Sequence, residues 1–289
     1  VRGHPKTALL LDRAPNESRY AIQLFGAKPE VLAKAAAMAA AFFPALIDLN
    51  CGCPVPKIVK SGSGSALMRT PGLVGDIVGA MVAVLGPGGP PVTVKIRMGW
   101  DASSVNYLEV ARIAVAAGAA AVTLHARTKA QGYSGKADWS AIAALSGELE
   151  VPVFGSGDVF SAEAAARMLK ETGAAGVMVA RGAMGYPFVF REAKALLAGR
   201  APEPPTMAER VDAARRHLRL SVAALGEWTA CAEFRKQMCS YSKGTVGGAE
   251  LRSEVVHAST EAEFESLLDR WLDMEAAIAR RARPAAGPI

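Results

Sequence analysis

The feature that most restricts how this chain can fold is a run of six short strands, each followed by a helix, four of those strands having one apolar and one polar face. The strands read at 20–25, 46–50, 92–97, 120–125, 151–154 and 176–180. The helices between and after them read at 29–43, 71–85, 104–117, 139–145, 161–173 and up to about 198. Regular strand–helix alternation calls for a parallel sheet, open and doubly wound or closed into a barrel. In an open sheet with helices on both faces, strands are apolar almost throughout. Here Val92, Val94 and Ile96 alternate with Thr93, Lys95 and Arg97, and Val122 and Leu124 alternate with Thr123 and His125. Ile22 and Leu24 flank Gln23 in the same way, and Ile47 and Leu49 alternate with Asp48 and Asn50. One face under helices and one able to gather polar groups is the pattern of a TIM (β/α)8-type barrel. A complete barrel has eight strands, so the reading expects two further strand–helix units ahead of residue 1.

After the proline-rich stretch 200–205 the character changes. Thr206 and Glu209 form a capping box for a helix at 207–224, a second helix reads at 233–243, and Thr260 opens a third that runs to about 280. The expected organisation is a barrel portion over 1–199 and a small all-α domain over 206–283. Arg235, Lys236 and Lys243 fall on the middle helix, as an ordinary solvated face or as a site for a polyanion. The formal charge of +6 fits a polyanionic partner without requiring one. Four cysteines without a disulfide-like framework point to a reducing, cytoplasmic setting. The longest uncharged apolar run, 35–47, is too short to span a bilayer and is interrupted by Pro44. Nothing in the sequence calls for an obligate protein partner.

Candidate chemistry gathers at the strand ends. Asp48-Leu49-Asn50-Cys51-Gly52-Cys53-Pro54 starts as strand and breaks into a loop at Gly52 and Pro54. A thiol just past a strand end, with Lys57 and Lys60 following, is placed for reactivity, and Cys53 is the candidate. Cys51, still adjacent to the strand, reads as a packing residue. A zinc site needs paired ligands at metal spacing, and Cys231 and Cys239 give no second close pair. Lys95 lies inside a strand, where an ammonium needs an acceptor. A salt bridge to Asp48 is one option. A flavin is the other, since a cation near its pyrimidine end favours the reduced anion; Gln23 and His125 then have the same ring within reach. Two glycine-rich turns, Gly155-Ser156-Gly157-Asp158 and Ala180-Arg181-Gly182-Ala183-Met184-Gly185, stand where barrels bind phosphate after their last strands.

Asn50-Cys51-Gly52-Cys53-Pro54 with Lys57, followed by Gly62-Ser63-Gly64-Ser65-Ala66-Leu67-Met68, closely resembles the signature of the tRNA-dihydrouridine synthases, and the likeness extends over nearly the whole chain. It is nearest to the bacterial B-type branch through Tyr133-Ser134-Gly135 and Phe234-Arg235-Lys236. The resemblance implies a flavin mononucleotide (FMN) barrel with a helical tRNA-binding domain, reduced by NADPH or NADH. It assigns FMN contacts to Gln23, Lys95, His125, Ser156, Gly157, Asp158, Ala180 and Arg181. Cys53 becomes the proton donor to uracil C5, Asn50 a contact to the uracil, and Arg235 and Lys236 contacts to tRNA. The target uridine must be flipped out of folded RNA to reach such a site. Three departures stand out: Ser156 replaces the family's usual Asn, Gln237 replaces a frequent His, and the first two barrel strands are absent. The last leads to the expectation that residues 1–289 alone bind FMN poorly. A dihydroorotate dehydrogenase-type enzyme acting on free pyrimidines, or a tRNA-binding protein without catalysis, are the alternative readings.

Overall fold

The computed structural model describes residues 11, 13 and 17–282, with side chains described as far as residue 274. Six parallel strands form one sheet: β1 (Ala21–Leu24), β2 (Leu46–Cys51), β3 (Val92–Arg97), β4 (Ala121–His125), β5 (Val153–Ser156) and β6 (Gly176–Met178). Their order in space is their order in sequence. That settles the choice of architecture. A doubly wound sheet reverses its order at a switch point and places helices on both faces. With no reversal, right-handed crossovers carry every connecting helix to one side, the arrangement of a TIM-type barrel. Those helices are α1 (Pro29–Ala40), α2 (Pro56–Lys60), α3 (Pro71–Leu85), α4 (Tyr107–Ala116), α5 (Trp139–Glu148) and α6 (Ala162–Thr172). α1 packs on α3 and α3 on α4, burying Leu32, Ala36, Val74, Ile77, Val78 and Met81 with the apolar strand face of Ile47, Leu49, Val94 and Ile96.

From β2 to β4 the polar strand face is largely withdrawn from water as well, while Gln23 on β1 stays exposed. Asp48, Thr93, Arg97, Thr123 and His125 are all buried. Strand register stacks this face in layers: Gln23, Asp48 and Thr93 in one; Asn50, Lys95 and Thr123 in the next; Arg97, His125 and Ser156 in the third. Polar side chains at successive levels of one buried face must satisfy each other or a ligand.

Two compact units divide the chain: residues Val1–Val159 with Glu163–Val179, and Phe160–Ala162 with Ala180–Ile289. The second unit contains α7 (Val189–Leu197), α8 (Met207–Leu225), α9 (Glu227–Tyr241), α10 (Gly248–Val255) and α11 (Glu261–Ala282). Its core joins Val211, Leu218, Phe234, Met238, Phe264, Leu268 and Trp271, with the Phe234 and Phe264 rings edge to face at 5.3 Å. The capping box forms as read: Thr206 Oγ1 accepts from Glu209 N at 3.2 Å and Glu209 Oε2 from Thr206 N at 2.8 Å. No helix among the described residues is long and apolar enough to cross a membrane.

Several boundaries differ from the sequence reading. β5 begins at Val153 instead of residue 151, because Pro152 has no N–H to give the ladder. α9 starts at Glu227, behind Gly226 at φ +78°, and ends at Tyr241, so Lys243 lies in the following turn and not on the helix. There Ser242 Oγ turns back onto the Met238 carbonyl at 3.0 Å, and Gly244 takes φ +72°, which closes the helix.

Candidate active site at the strand ends

The site is built on a chain of hydrogen bonds whose donors and acceptors leave one consistent arrangement. Thr93 Oγ1 donates to Asp48 Oδ1 at 2.6 Å, and Gln23 Nε2 donates to Asp48 Oδ2 at 2.7 Å. A carboxylate accepts from both, so the amide of Gln23 is oriented with Oε1 outward, where it accepts from Asn50 Nδ2 at 2.7 Å. Asn50 Oδ1 then faces the loop and accepts from Gly52 N at 3.1 Å and Cys53 N at 2.9 Å. The buried Thr93 on β3 thereby fixes the turn that carries Cys53 (half-buried). From the other side, the Cys53 carbonyl accepts from Ser65 N at 3.0 Å and Ser65 Oγ at 2.9 Å. Gly64, at φ +63°, leaves no room for a side chain: a Cβ there would stand 2.8 Å from Cys53 O.

Arg97 holds the same loop from the third layer. Its Nε donates to Gly52 O at 2.7 Å and its Nη1 to Thr128 O at 3.0 Å and Gly132 O at 2.9 Å. Arg97 is only 3% exposed, and burial lowers its pKa. Cys51 is fully buried, and burial, with Asp48 nearby, pushes its thiol pKa well up. The two cysteines therefore divide as the sequence suggested, one packed and one accessible.

Lys95 does not form the salt bridge to Asp48 that was one reading of it. Both oxygens of Asp48 are taken by Thr93 and Gln23, and no ion pair joins Asp48 to Lys95 among the described residues. Burial lowers the Lys95 pKa, Arg97 adds to this, and the charge of Asp48 opposes it. Burial likewise raises Asp48, against its two hydrogen bonds and Lys95. His125 is pushed down to about 3, by burial first and then by Arg97, Lys95 and Arg127, so its imidazole is neutral at pH 7. Its Nε2 is buried without a partner among the described residues. Tyr133 meets it edge on at 6.1 Å and lies 5.7 Å from the Arg97 guanidinium carbon.

Asp158 takes φ +57°, and both of its carboxylate oxygens accept from one Arg127 nitrogen, Nη2, at 2.8 Å each. Arg127, 1% exposed, also donates to Ser134 O at 3.1 Å and Gly135 O at 2.6 Å, while Asp158 Oδ2 accepts from Ala137 N at 2.7 Å. Gly157 is pressed so close to Ala137 that a Cβ would lie 2.7 Å from it. Ser156 is buried at the end of β5. The Asp158 carboxylate is thus engaged in holding its turn, together with an arginine that the sequence reading left aside. An arginine two residues beyond a buried strand end was the available signal, because a guanidinium there must find several acceptors.

Ala180 and Arg181 belong to the second unit, in a short 3-10 turn (Arg181–Ala183), with the Arg181 guanidinium 5.2 Å from the centre of the Phe160 ring. Gly185 is there for close approach: a Cβ would come within 2.3 Å of the Ser240 carbonyl carbon on α9. Arg235 is half-buried and donates to Ala258 O at 2.8 Å, whereas Lys236 is exposed. Among the described residues no group of three or more His, Cys, Asp or Glu is arranged to hold a metal ion.

A TIM-type strand order, with a tethered thiol, a buried cation and an imidazole whose Nε2 has no partner among the described residues, all at the C-terminal strand ends, is the arrangement of a TIM-type barrel enzyme. The sequence profile of the family described as dihydrouridine synthase (Dus) matches residues 1–279. The chain belongs to the dihydrouridine synthase family. It is 46% identical over 275 residues to a probable tRNA-dihydrouridine synthase of Treponema pallidum, covering 93% of this chain and 81% of that protein. It is 41% identical over 257 residues to probable tRNA-dihydrouridine synthase 1 of Synechocystis sp., covering 89% and 71%. It is 38% identical over 259 residues to tRNA-dihydrouridine synthase B of Xanthomonas axonopodis pv. citri, covering 89% and 77%.

Proposed function

We propose that this protein reduces uridines in tRNA to 5,6-dihydrouridine with FMN as cofactor and Cys53 as proton donor. The observation that carries the reading is the double anchorage of the Gly52 and Cys53 amides on Asn50 Oδ1, which presents one accessible thiol at the barrel mouth beside a fully buried one. The polar layers fit a flavin: His125 Nε2 is buried and unpartnered, and Lys95 has no ion-pair partner among the described residues, so both await a polar ligand on the inner face. Lys95, Gln23 and His125 would hold the ring and ribityl portion, and the backbone of Ser156, Gly157 and Asp158 the phosphate. Bound and reduced by NADPH or NADH, FMN supplies a hydride for uracil C6. Cys53 gives its thiol proton to C5, which completes the saturation of the C5–C6 bond and leaves a thiolate. Solvent then restores the proton. Asn50 keeps the thiol loop in register with the substrate. In the domain assignment that goes with this reading, residues 1–199 carry the chemistry and 206–283 hold the tRNA, with exposed Lys236 contacting phosphate and Arg235 serving both tRNA and the Ala258 carbonyl.

The test is mass spectrometry of tRNA from a deletion strain complemented with the intact gene carrying Cys53→Ala or Cys51→Ala. Cys53→Ala is expected to retain flavin and to lose at least about 100-fold in dihydrouridine formation, the range of a missing general acid. Cys51→Ala is expected to retain most of it. Equal losses from the two substitutions would overturn the assignment of the proton to Cys53.

A further inference from the structure

A cavity of about 450 Å³ lies beside the loop that follows β3 and has no part in the chemistry above. Arg69, Trp100, Asp101, Ser103, Ser104 and Asn106 line it. Three features make it a built site. First, the backbone around Trp100 is clamped: Lys129 N donates to Gly99 O at 2.9 Å, Ala130 N to Trp100 O at 2.8 Å, and Gly99 bridges Val105. Gly99 lies so close to the returning strand of the loop that a Cβ would stand 2.2 Å from Ser104 O. Second, two cations converge on the indole, the Arg69 guanidinium carbon 5.0 Å and Lys129 Nζ 4.3 Å from the ring centroid. Neither has a carboxylate partner among the described residues, and the one carboxylate in the lining, Asp101, is turned into its own loop. Its Oδ1 accepts from Ser103 N at 3.0 Å, Ser103 Oγ at 2.7 Å and Ser104 Oγ at 2.8 Å. Third, Asn106 spends Nδ2 on Met68 O at 2.7 Å and leaves Oδ1 buried with no partner among the described residues.

We infer that this cavity is a subsite for one nucleotide of the RNA substrate other than the uridine being reduced, an inference that rests on the proposed tRNA function. An indole with two cations seated over it, neither facing a carboxylate among the described residues, is a composition that takes a nucleotide's phosphate together with its base. The volume is at the small end of ligand cavities, enough for a single nucleotide and too little for a helical segment. Arg69 and Lys129 meet the phosphate, the indole meets the base, and Asn106 Oδ1 takes an N–H of the base or the ribose 2′-OH. The subsite is wired to the thiol loop. Arg69 ends the 3-10 turn (Gly64–Arg69) whose start, Ser65, holds the Cys53 carbonyl, and Asn106 fastens that turn at Met68. A nucleotide seated there steadies the element on which Cys53 rests.

The experiment measures binding of unmodified tRNA to the flavin-loaded full-length protein across a salt series, for wild type, Arg69→Gln with Lys129→Gln, Trp100→Ala and Trp100→Phe. Flavin content reports folding, and Arg69, being exposed, carries the test by itself if Trp100→Ala does not fold. The double Gln variant is expected to bind about tenfold more weakly, with the slope of log K against log salt shallower by about one to two. Trp100→Ala is expected to lose about tenfold with the slope unchanged, and Trp100→Phe to recover most of the loss. Affinities and slopes equal to wild type in all variants would overturn the subsite. A raised KM for the nicotinamide reductant with unchanged tRNA affinity would also overturn it, by assigning the cavity to a dinucleotide. Failure of the wild type itself to bind tRNA would instead overturn the proposed function, a result separable from both.

Discussion

Replacing Asp158 by Asn tests how the turn after β5 is held. Asn tolerates the left-handed φ of +57° as well as Asp does, so the change removes charge without adding backbone strain. What it leaves behind is the Arg127 guanidinium, 1% exposed, with two backbone carbonyls in place of two carbonyls and a carboxylate. Removing one partner of a buried ion pair costs about 3–5 kcal/mol, because the remaining charge stays desolvated. The Asn side chain still offers one acceptor oxygen and Asp158 is itself partly exposed, so the low end applies, about 3 kcal/mol. That is roughly a 100-fold drop in the folded-to-unfolded ratio. Urea unfolding followed by far-UV circular dichroism reads the global effect. Exchange of the Ala137 amide, which donates to Asp158 Oδ2, reads the local one and is expected to accelerate. Adding Arg127→Met to Asp158→Asn removes the stranded charge and is expected to recover about 1 kcal/mol or more. A loss below about 1 kcal/mol for Asp158→Asn, the level of a solvated surface pair, would refute the reasoning.

Two further outcomes follow from the thiol loop and the inner face. Gly64→Ala places a methyl 2.8 Å from the Cys53 carbonyl at a φ of +63°, and a displacement of the loop by a fraction of an ångström is expected to cost at least about tenfold in dihydrouridine formation. Near-wild-type turnover by Gly64→Ala in a steady-state assay would show that the loop is not held as described. His125 stays neutral in the fold down to about pH 3, whereas in the unfolded chain it takes up a proton below about pH 6.5. Its contribution is therefore flat above pH 6.5 and is lost as pH falls from there toward 3. The wild-type minus His125→Gln difference in unfolding free energy is expected to decline over that window, and a difference independent of pH would contradict the burial of a neutral imidazole.

The readable part of this fold is the part governed by local periodicity. Alternation in Val92–Arg97 and Ala121–His125 identified a polar strand face, and the observed strand order shows that this face lies opposite the helices. Short elements escaped: α2 has five residues and the 3-10 turn Gly64–Arg69 six, too few for a helical period to register. α10 escaped as well: it has eight residues and starts at a glycine, and its apolar Leu251 and Val255 find their role only in the core they enter. The destinations of long side chains were invisible for a different reason. Arg97 binds carbonyls at Gly52, Thr128 and Gly132, which are brought together only by parallel pairing of strands far apart in sequence.

The same limit explains the reading of Gln23 and Asp48. Taken singly, Gln23 is a ring contact and Asp48 a counter-ion for Lys95. Pairing β1 with β2 and β2 with β3 makes them successive members of the chain Thr93–Asp48–Gln23–Asn50, which ends on the amide of Cys53. Each donor and acceptor in that chain is dictated by the one before it. Gln23 therefore sets which way the Asn50 amide faces, whatever else it touches. A proton on Asp48 Oδ2 would reverse the demand on Gln23, and through it on Asn50, and would turn an N–H₂ toward the two amides that Oδ1 now accepts from. Burial works toward that protonation, and the bonds from Thr93 and Gln23 work against it. The orientation of the thiol loop thus depends on the charge of a carboxylate two hydrogen bonds away from Asn50.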